Sequence, residues 1–364
     1  MNTFTRPRLR TALLFASLPF ITLQAAYAAS GCITEYGSGS AVFTAEFTNV
    51  WVPRDLPVGE PIATKFFVNL QDPSTTRVQC TNASDRLLEA RIDYTAPFVH
   101  NLPARLGNGR FASRVVRTRI AGVGAVIEMG WPFANQANNN FISTGGDNTV
   151  PYHGTNMTTM ATPLNIGPMS MRVTLVKIGP IAAGPILLDE ELAHGSTTDV
   201  PDAFRLRASA TLHQAKCTLK SDAVSASPVD LGSHTVADFP GKGTTTTSIP
   251  FHITLSDCED DPAASTATAY IYLTGTDGSV AIDPKQGLFS LGNGSTAKGI
   301  GIQITDDLGI PVPLQEHVSS NKKLELPLTR LPYRAHFYQT EDRVTPGKAK
   351  GALDFTISYR REAP

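Results

Sequence analysis

Charge is scarce in this chain, and aromatic residues are scarcer still. Only 17% of its 364 residues are charged, and 31 basic against 32 acidic side chains leave a formal net charge of −1. No block of like charge occurs, so the footprint of a nucleic-acid or membrane-surface binder is missing. The 8 histidines are scattered. No Gly-x-Ser-x-Gly, His-Glu-x-x-His or phosphate-loop pattern is present, so no nucleophile stands beside its base. A secreted hydrolase with an accessory domain is set aside on that ground, and the chain is expected not to be an enzyme. The 4 cysteines form no Cys-x-x-Cys pair and have no neighbouring histidines, which argues against a metal site and against any cofactor. Long apolar runs are limited to Ala12–Leu23, too short to span a bilayer.

What is present first is an export signal. Arg6, Arg8 and Arg10 precede that apolar run, and Ala26-Tyr27-Ala28 is a small-x-small cleavage site. Residues 1–28 are read as a signal peptide, and the mature chain as a protein of an oxidising compartment. The remaining length suits about two domains. Glycine (29), proline (26) and many Thr, Ser and Val residues favour short strands joined by turns. The expectation is an all-β protein of two immunoglobulin-like sandwiches, residues 29–212 and 217–364, joined by a short linker at 213–216.

Strand-like stretches in the first block are Ala41–Trp51, Ile62–Leu70, Leu87–Tyr94, Ser113–Ile120, Val123–Met129, Met169–Ile178 and Phe204–Leu212. In the second block the candidate strands are Val229–Leu231, Ile249–Leu255, Ala267–Thr274, Ile300–Thr305, Lys323–Leu328, Tyr333–Tyr338 and Ala349–Tyr359. The last of these is the most regular. Leu353, Phe355, Ile357 and Tyr359 fall on one face of a strand close to the C-terminus, where an unpaired edge invites another chain. Cys32, Cys80, Cys217 and Cys258 allow three pairings. Their spacing favours Cys32–Cys80 and Cys217–Cys258, each closing a loop of about 40 to 50 residues and contributing about 3–4 kcal/mol in the chain-entropy model.

The second block resembles a pilin domain of the chaperone–usher fimbrial family. The matching elements run in order: Cys217; Leu231 and Gly232; Phe251, Ile253, Leu255 and Cys258; Gly299, Gly301, Gln303 and Ile304 before the acidic turn Asp306-Asp307; Tyr333, Ala335, Phe337 and Tyr338; Val344 and Gly347; then Phe355, Ile357, Tyr359 and Arg360. Gly347 and Tyr359 reproduce the family's spacing between a glycine and a near-terminal tyrosine. The resemblance implies a sandwich lacking its seventh strand. A groove beside the last strand would be filled first by a periplasmic chaperone, then by the N-terminal strand of the next pilus subunit. Gly347, Leu353, Phe355, Ile357 and Tyr359 would line it. Arg361, Glu362, Ala363 and Pro364 depart from the pattern, because the family usually ends one residue after the tyrosine, where the chaperone anchors the terminal carboxylate.

A polymerising pilin carries a short donor extension before its first cysteine, whereas this chain carries a whole block there. That plan is similar to the two-domain tip adhesins of type 1 fimbriae. It implies a subunit exported through the periplasm and the outer-membrane usher to the fimbrium tip. There its N-terminal domain would bind a carbohydrate receptor. The match in that domain covers Cys32, Asn49 to Trp51, Val58-Gly59 and Cys80 to Asn82. Asn82 falls at a sugar-contacting asparagine, and Asp85 at an acidic neighbour. Mannose specificity does not carry over: the mature chain would begin at Ala29 and not at an aromatic residue, and residues 177–185 are apolar where those adhesins carry a polar loop. A short linker would also let the pilin domain bias the receptor site.

Read from the residues alone, a sugar site needs planar amides, carboxylates and an aromatic face. The segment Trp131–His153 offers Trp131, Asn135, Asn138, Asn140, Asp147, Asn148, Tyr152 and His153. The competing reading makes it a solvated loop with Trp131, Pro132 and Phe133 capping the core. The tripeptides at Asn82, Asn156 and Asn293 match a glycosylation pattern by coincidence in a bacterial secreted chain. Asp257, Glu259, Asp260 and Asp261 are read as a turn beside Cys258 and not as a cation site. The remaining alternative is a structural minor pilin or tip subunit that binds no receptor.

Overall fold

The alternating segments become strands, and the computed structural model describes residues 1, 29–37, 39–69, 76–103, 113–134, 140–160 and 162–362. The N-terminal block holds β1 (Gly31–Glu35), β2 (Ala41–Pro53), β3 (Pro61–Asn69), β4 (Arg77–Thr81), β5 (Leu88–Tyr94), β6 (Val116–Arg117), β7 (Val123–Met129), β8 (Ile142–Ser143), β9 (Tyr152–Asn156), β10 (Leu164–Ile166), β11 (Met169–Lys177), β12 (Ile186–Thr197) and β13 (Val200–Thr218). The C-terminal block holds β14 (Ile249–Glu259), β15 (Thr268–Thr276), β16 (Ala281–Asp283), β17 (Leu288–Ser290), β18 (Ile300–Asp306), β19 (Val318–Lys323), β20 (Thr329–Gln339) and β21 (Ala352–Arg360). The signal segment 2–28 lies outside the described residues.

In the N-terminal block one sheet runs β2-β13-β12-β5-β9-β8, and a second runs β3-β11-β7-β6. Phe43, Leu206 and Ile92 from the first meet Ile127, Val173 and Leu175 from the second in one core. All pairs are antiparallel except β2 with β13, which run parallel from Phe204 opposite Ala41 to Ala215 opposite Pro53. Cys32 and Cys80 face each other across β1 and β4 and are bonded, as are Cys217 and Cys258.

β13 is the backbone of the whole chain. It pairs with β12 and β2 first, then continues into the second block and meets β14 at Lys216–Glu259 and Thr218–Ser256. Residues 213–216, expected to be a linker, therefore lie within a strand. They contain no glycine or proline to break it, and Ala215 already packs in the C-terminal core. In that block the sheet β16-β17-β18-β20-β14 faces the sheet β19-β15-β21 across Ile253, Leu255, Ile271, Ile302, Leu331 and Ile357.

Several boundaries differ from the sequence reading. Ser113–Ile120 is strand only at Val116–Arg117. Val229–Leu231 joins no ladder, and the strand expected over Lys323–Leu328 lies earlier, at Val318–Lys323. Pro327 has no N–H to give a ladder there. β12 escaped the pattern because Glu190 occupies an inward position, 7% exposed, with its Oε1 accepting the Arg119 backbone N–H at 2.8 Å.

Candidate functional site

The last strand builds the clearest site. β21 pairs with β15 on one side, from Ala352–Thr276 to Arg360–Thr268. On its other side, among the described residues, no strand pairs with it. The direction of its backbone groups follows from its lower end. The Tyr359 N–H donates to Asp55 Oδ2 at 2.9 Å, and the Tyr359 carbonyl accepts the Asp55 N–H at 3.0 Å. Both groups of Tyr359 thus point away from β15. Alternation along an antiparallel ladder turns those of Ile357, Phe355 and Leu353 the same way. The Ile357 carbonyl accepts a guanidinium N–H of Arg54 at 3.3 Å.

Beside this edge lies an apolar groove of about 470 Å³. Phe251, Ile253, Ile271, Leu273, Phe289, Ile302 and Tyr333 floor it. Leu353 and Phe355 form one wall, and the segment Val224–Leu231 forms the other. Leu353 and Phe355 are half-buried, whereas Ile357 and Tyr359 are fully buried. The expected groove residues therefore divide. Leu353 and Phe355 line the cavity, and Ile357 and Tyr359 close the core below it. Tyr359 donates its hydroxyl to the Cys217 carbonyl at 3.2 Å, and burial pushes its pKa up. Gly347 lines a separate cavity of about 310 Å³ with Val344, Phe337, Ile300 and Phe239. A Cβ at Gly347 would fall 2.5 Å from Thr296 Oγ1 and 2.6 Å from the Ala297 nitrogen, so only glycine fits there.

In the N-terminal domain the expected ligand residues mostly face inward. Asn82 is 3% exposed; its amide donates to the Arg86 carbonyl at 2.8 Å and to Asn156, while its Oδ1 accepts the Ser84 N–H. Asn156 in turn donates to the Asn140 carbonyl, so Asn82 and Asn140 belong to one buried amide chain. Tyr152 is buried against Phe133 and donates to the Phe141 carbonyl at 2.9 Å. Asn148 donates to the Met129 carbonyl, and Asp147 pairs with Arg114 at 3.2 Å. The Trp131 ring packs on the core, and Phe133 beside it is fully buried, the arrangement of a core cap. Asn135 and Asn138 lie outside the described residues.

The polar cleft that sequence reasoning missed lies nearby. Its volume is about 360 Å³, and Arg86, Leu87, Glu89, Arg91 and Ser196–Asp199 line it. Arg86 grips Asp199 with two bonds, at 2.7 and 2.8 Å, and this holds the Asp199 carboxyl below the usual carboxylate range. His153 lies 3.6 Å from Glu89, and Asp85 accepts a hydrogen bond from Ser30, whose carbonyl also takes Arg86. His153 thus stands beside Glu89, Asp85 lies near Arg86, and Asn82 holds the Arg86 carbonyl, while Asn140 and Tyr152 bond to Asn156 and Phe141, which do not line the cleft. The signal available in the sequence was the alternation of charge over Arg86, Glu89 and Arg91. The acidic turn after Cys258 is structural: Asp260 is 1% exposed and accepts the Thr266 and Ala267 N–H groups.

Comparison with known proteins bears on both halves. The fimbrial protein family model matches residues 206–360. The type 1 fimbrial subunit of Salmonella typhimurium is 31% identical over 134 residues, 36% of this chain and 69% of that protein. The fimbria adhesin protein of Klebsiella pneumoniae is 26% identical over 355 residues, 93% of this chain and 98% of that protein. The crystal structure of the CupB6 tip adhesin from Pseudomonas aeruginosa is 15% identical, covers 91% of this chain and 95% of its own, and has a TM-score of 0.33. The chain belongs to the fimbrial protein family of chaperone–usher pili, and it matches a fimbrial adhesin over nearly the full length of both.

Proposed function

We propose that this chain is a fimbrial tip adhesin that joins its pilus by taking a donated strand into the groove beside β21. The observation that carries this reading is an outward-facing edge at Leu353 and Phe355 above an apolar cavity. An extended segment satisfies both needs at once: its backbone pairs with the edge and its alternate side chains fill the cavity. During export a periplasmic chaperone supplies that strand, the outer-membrane usher passes the subunit on, and the next pilus subunit replaces the chaperone. A folded domain in the position where a polymerising subunit carries its donor segment supports a place at the end of a fibre on the cell surface.

The N-terminal domain then presents the receptor site, for which the polar cleft of Arg86, Glu89, Arg91 and Asp199 is the best-formed candidate. Paired planar guanidinium and carboxylate groups beside the partly exposed Leu87 suit a carbohydrate's hydroxyls and its apolar C–H face. Binding of the full chain, co-produced with a chaperone, to a glycan and matrix-protein array tests this. A specific hit weakened at least ~10-fold by Arg86→Ala or Asp199→Ala is expected, the loss of a few charge-assisted hydrogen bonds. A hit unaffected by both would move the site elsewhere. The inward orientation of Asn82, Asn140 and Tyr152 favours the second reading, a structural tip subunit. An array without hits from folded protein would support it.

A further inference from the structure

The outer edge of β21 is not vacant along its whole length. At its end the Arg54–Asp55 turn, from the N-terminal domain, takes the place of a neighbouring strand. Asp55 both donates to and accepts from the Tyr359 backbone, and Arg54 reaches the Ile357 carbonyl. That is the hydrogen-bonding pattern of one rung of an antiparallel ladder, made in part by a side chain. The turn is itself held from behind. Its Arg54 N–H donates to the Ala215 carbonyl at 3.0 Å, and Lys177 Nζ donates to the Arg54 carbonyl at 2.8 Å. The Arg54 guanidinium lies 4.8 Å from the centre of the Tyr359 ring. The groove agrees with this limit: its wall on β21 stops at Phe355.

We infer that the Arg54–Asp55 turn is an end-stop supplied in cis, which sets how far along β21 a donated strand can pair. This rests on the donor-strand reading above. The incoming strand finds open rungs at Leu353 and Phe355 and the N–H of Ile357, but not at Tyr359. It is the adhesin's own first domain, and not the pilin domain alone, that fixes the register of the partner. Strands whose apolar positions would fall beside Tyr359 meet a charged turn instead, and are disfavoured.

Residue-resolved amide exchange on the full chain tests the inference, with short and long capped peptides of alternating threonine and valine as the strand probes. Without peptide, the Tyr359 amide is protected and those of Leu353 and Phe355 are not. Asp55→Ala speeds exchange at Tyr359 by ~10-fold or more, while Asp55→Asn, which keeps the acceptor, restores protection. Either peptide slows Leu353 and Phe355 and leaves Tyr359 and Asp55 unchanged. In Asp55→Ala only the longer peptide also slows Tyr359. If the peptides protect Leu353 and Phe355 but displace Asp55 from Tyr359 in the unmodified chain, the end-stop is wrong and the donor-strand reading stands. If no residue of β21 gains protection, the donor-strand reading fails and takes the end-stop with it. Rapid exchange at Tyr359 in the unmodified chain overturns the end-stop directly.

Discussion

Single residues on the last strand divide between those that close the C-terminal core and those that line the apolar groove beside it. Tyr359 and Ile357 belong to the first kind, and Leu353 and Phe355 to the second. Leu353→Asn or Phe355→Asn should lower the urea midpoint of the isolated chain far less than the same change at buried Ile357, because both side chains are only partly buried. The same changes should weaken strand docking by ~10-fold or more each, from ~1.5–3 kcal/mol of lost side-chain burial. A large fall in the midpoint of the empty chain would show that these positions are ordinary core. His336 offers a pH test. It is 8% exposed, its Nε2 lies 2.8 Å from Gln303 Oε1, and burial pushes its pKa below 6.5. The unfolded chain then takes up the proton first as pH falls below 6.5, so stability drops from there down to the folded pKa. Urea midpoints measured across that window should fall with acid, and less steeply in His336→Gln. Equal slopes would contradict the assignment.

At the scale of elements, the strict alternation at Leu353, Phe355, Ile357 and Tyr359 made β21 legible in the sequence, and the short apolar run Val123–Met129 matched β7 to the residue. Where a polar residue sits inward, the pattern failed. Glu190 hid β12, and the short strands β8 and β10 are too brief for any period to register. The junction was misjudged for a different reason. A change of domain was visible at Cys217, but nothing in His213, Gln214 and Ala215 could say that β2 would run beside them as far as Pro53. The period put Leu353 and Phe355 on one face, and both line the apolar cavity. The polar cleft was not legible, because Arg86 and Asp199 are far apart in the chain and meet only through the turn after β12. Asn82 drew attention as a ligand residue because an exposed amide and a buried one look alike in a sequence.

For the whole molecule, the two domains are joined by more than one connection. β13 runs through both, Trp51 stacks on His213 at 4.7 Å while packing against the C-terminal core, and Arg361 donates to the Pro61 and Ile62 carbonyls at 2.7 Å each. The residue just past Arg360, where the family pattern ends, thus clasps the first domain. Arg361→Ala should leave both cores intact and widen the distribution of interdomain distances seen by paired spin labels. An unchanged distribution would mean that β13 and Trp51 alone fix the angle. A donor-strand role requires the edge of β21 to be open in the isolated chain and filled in the fibre. Amide exchange at Leu353 and Phe355, compared between the isolated chain and the assembled fibre, tests it most directly. Fast exchange in the first and strong protection in the second are expected. Protection already present in the isolated chain, or none gained on assembly, would contradict it.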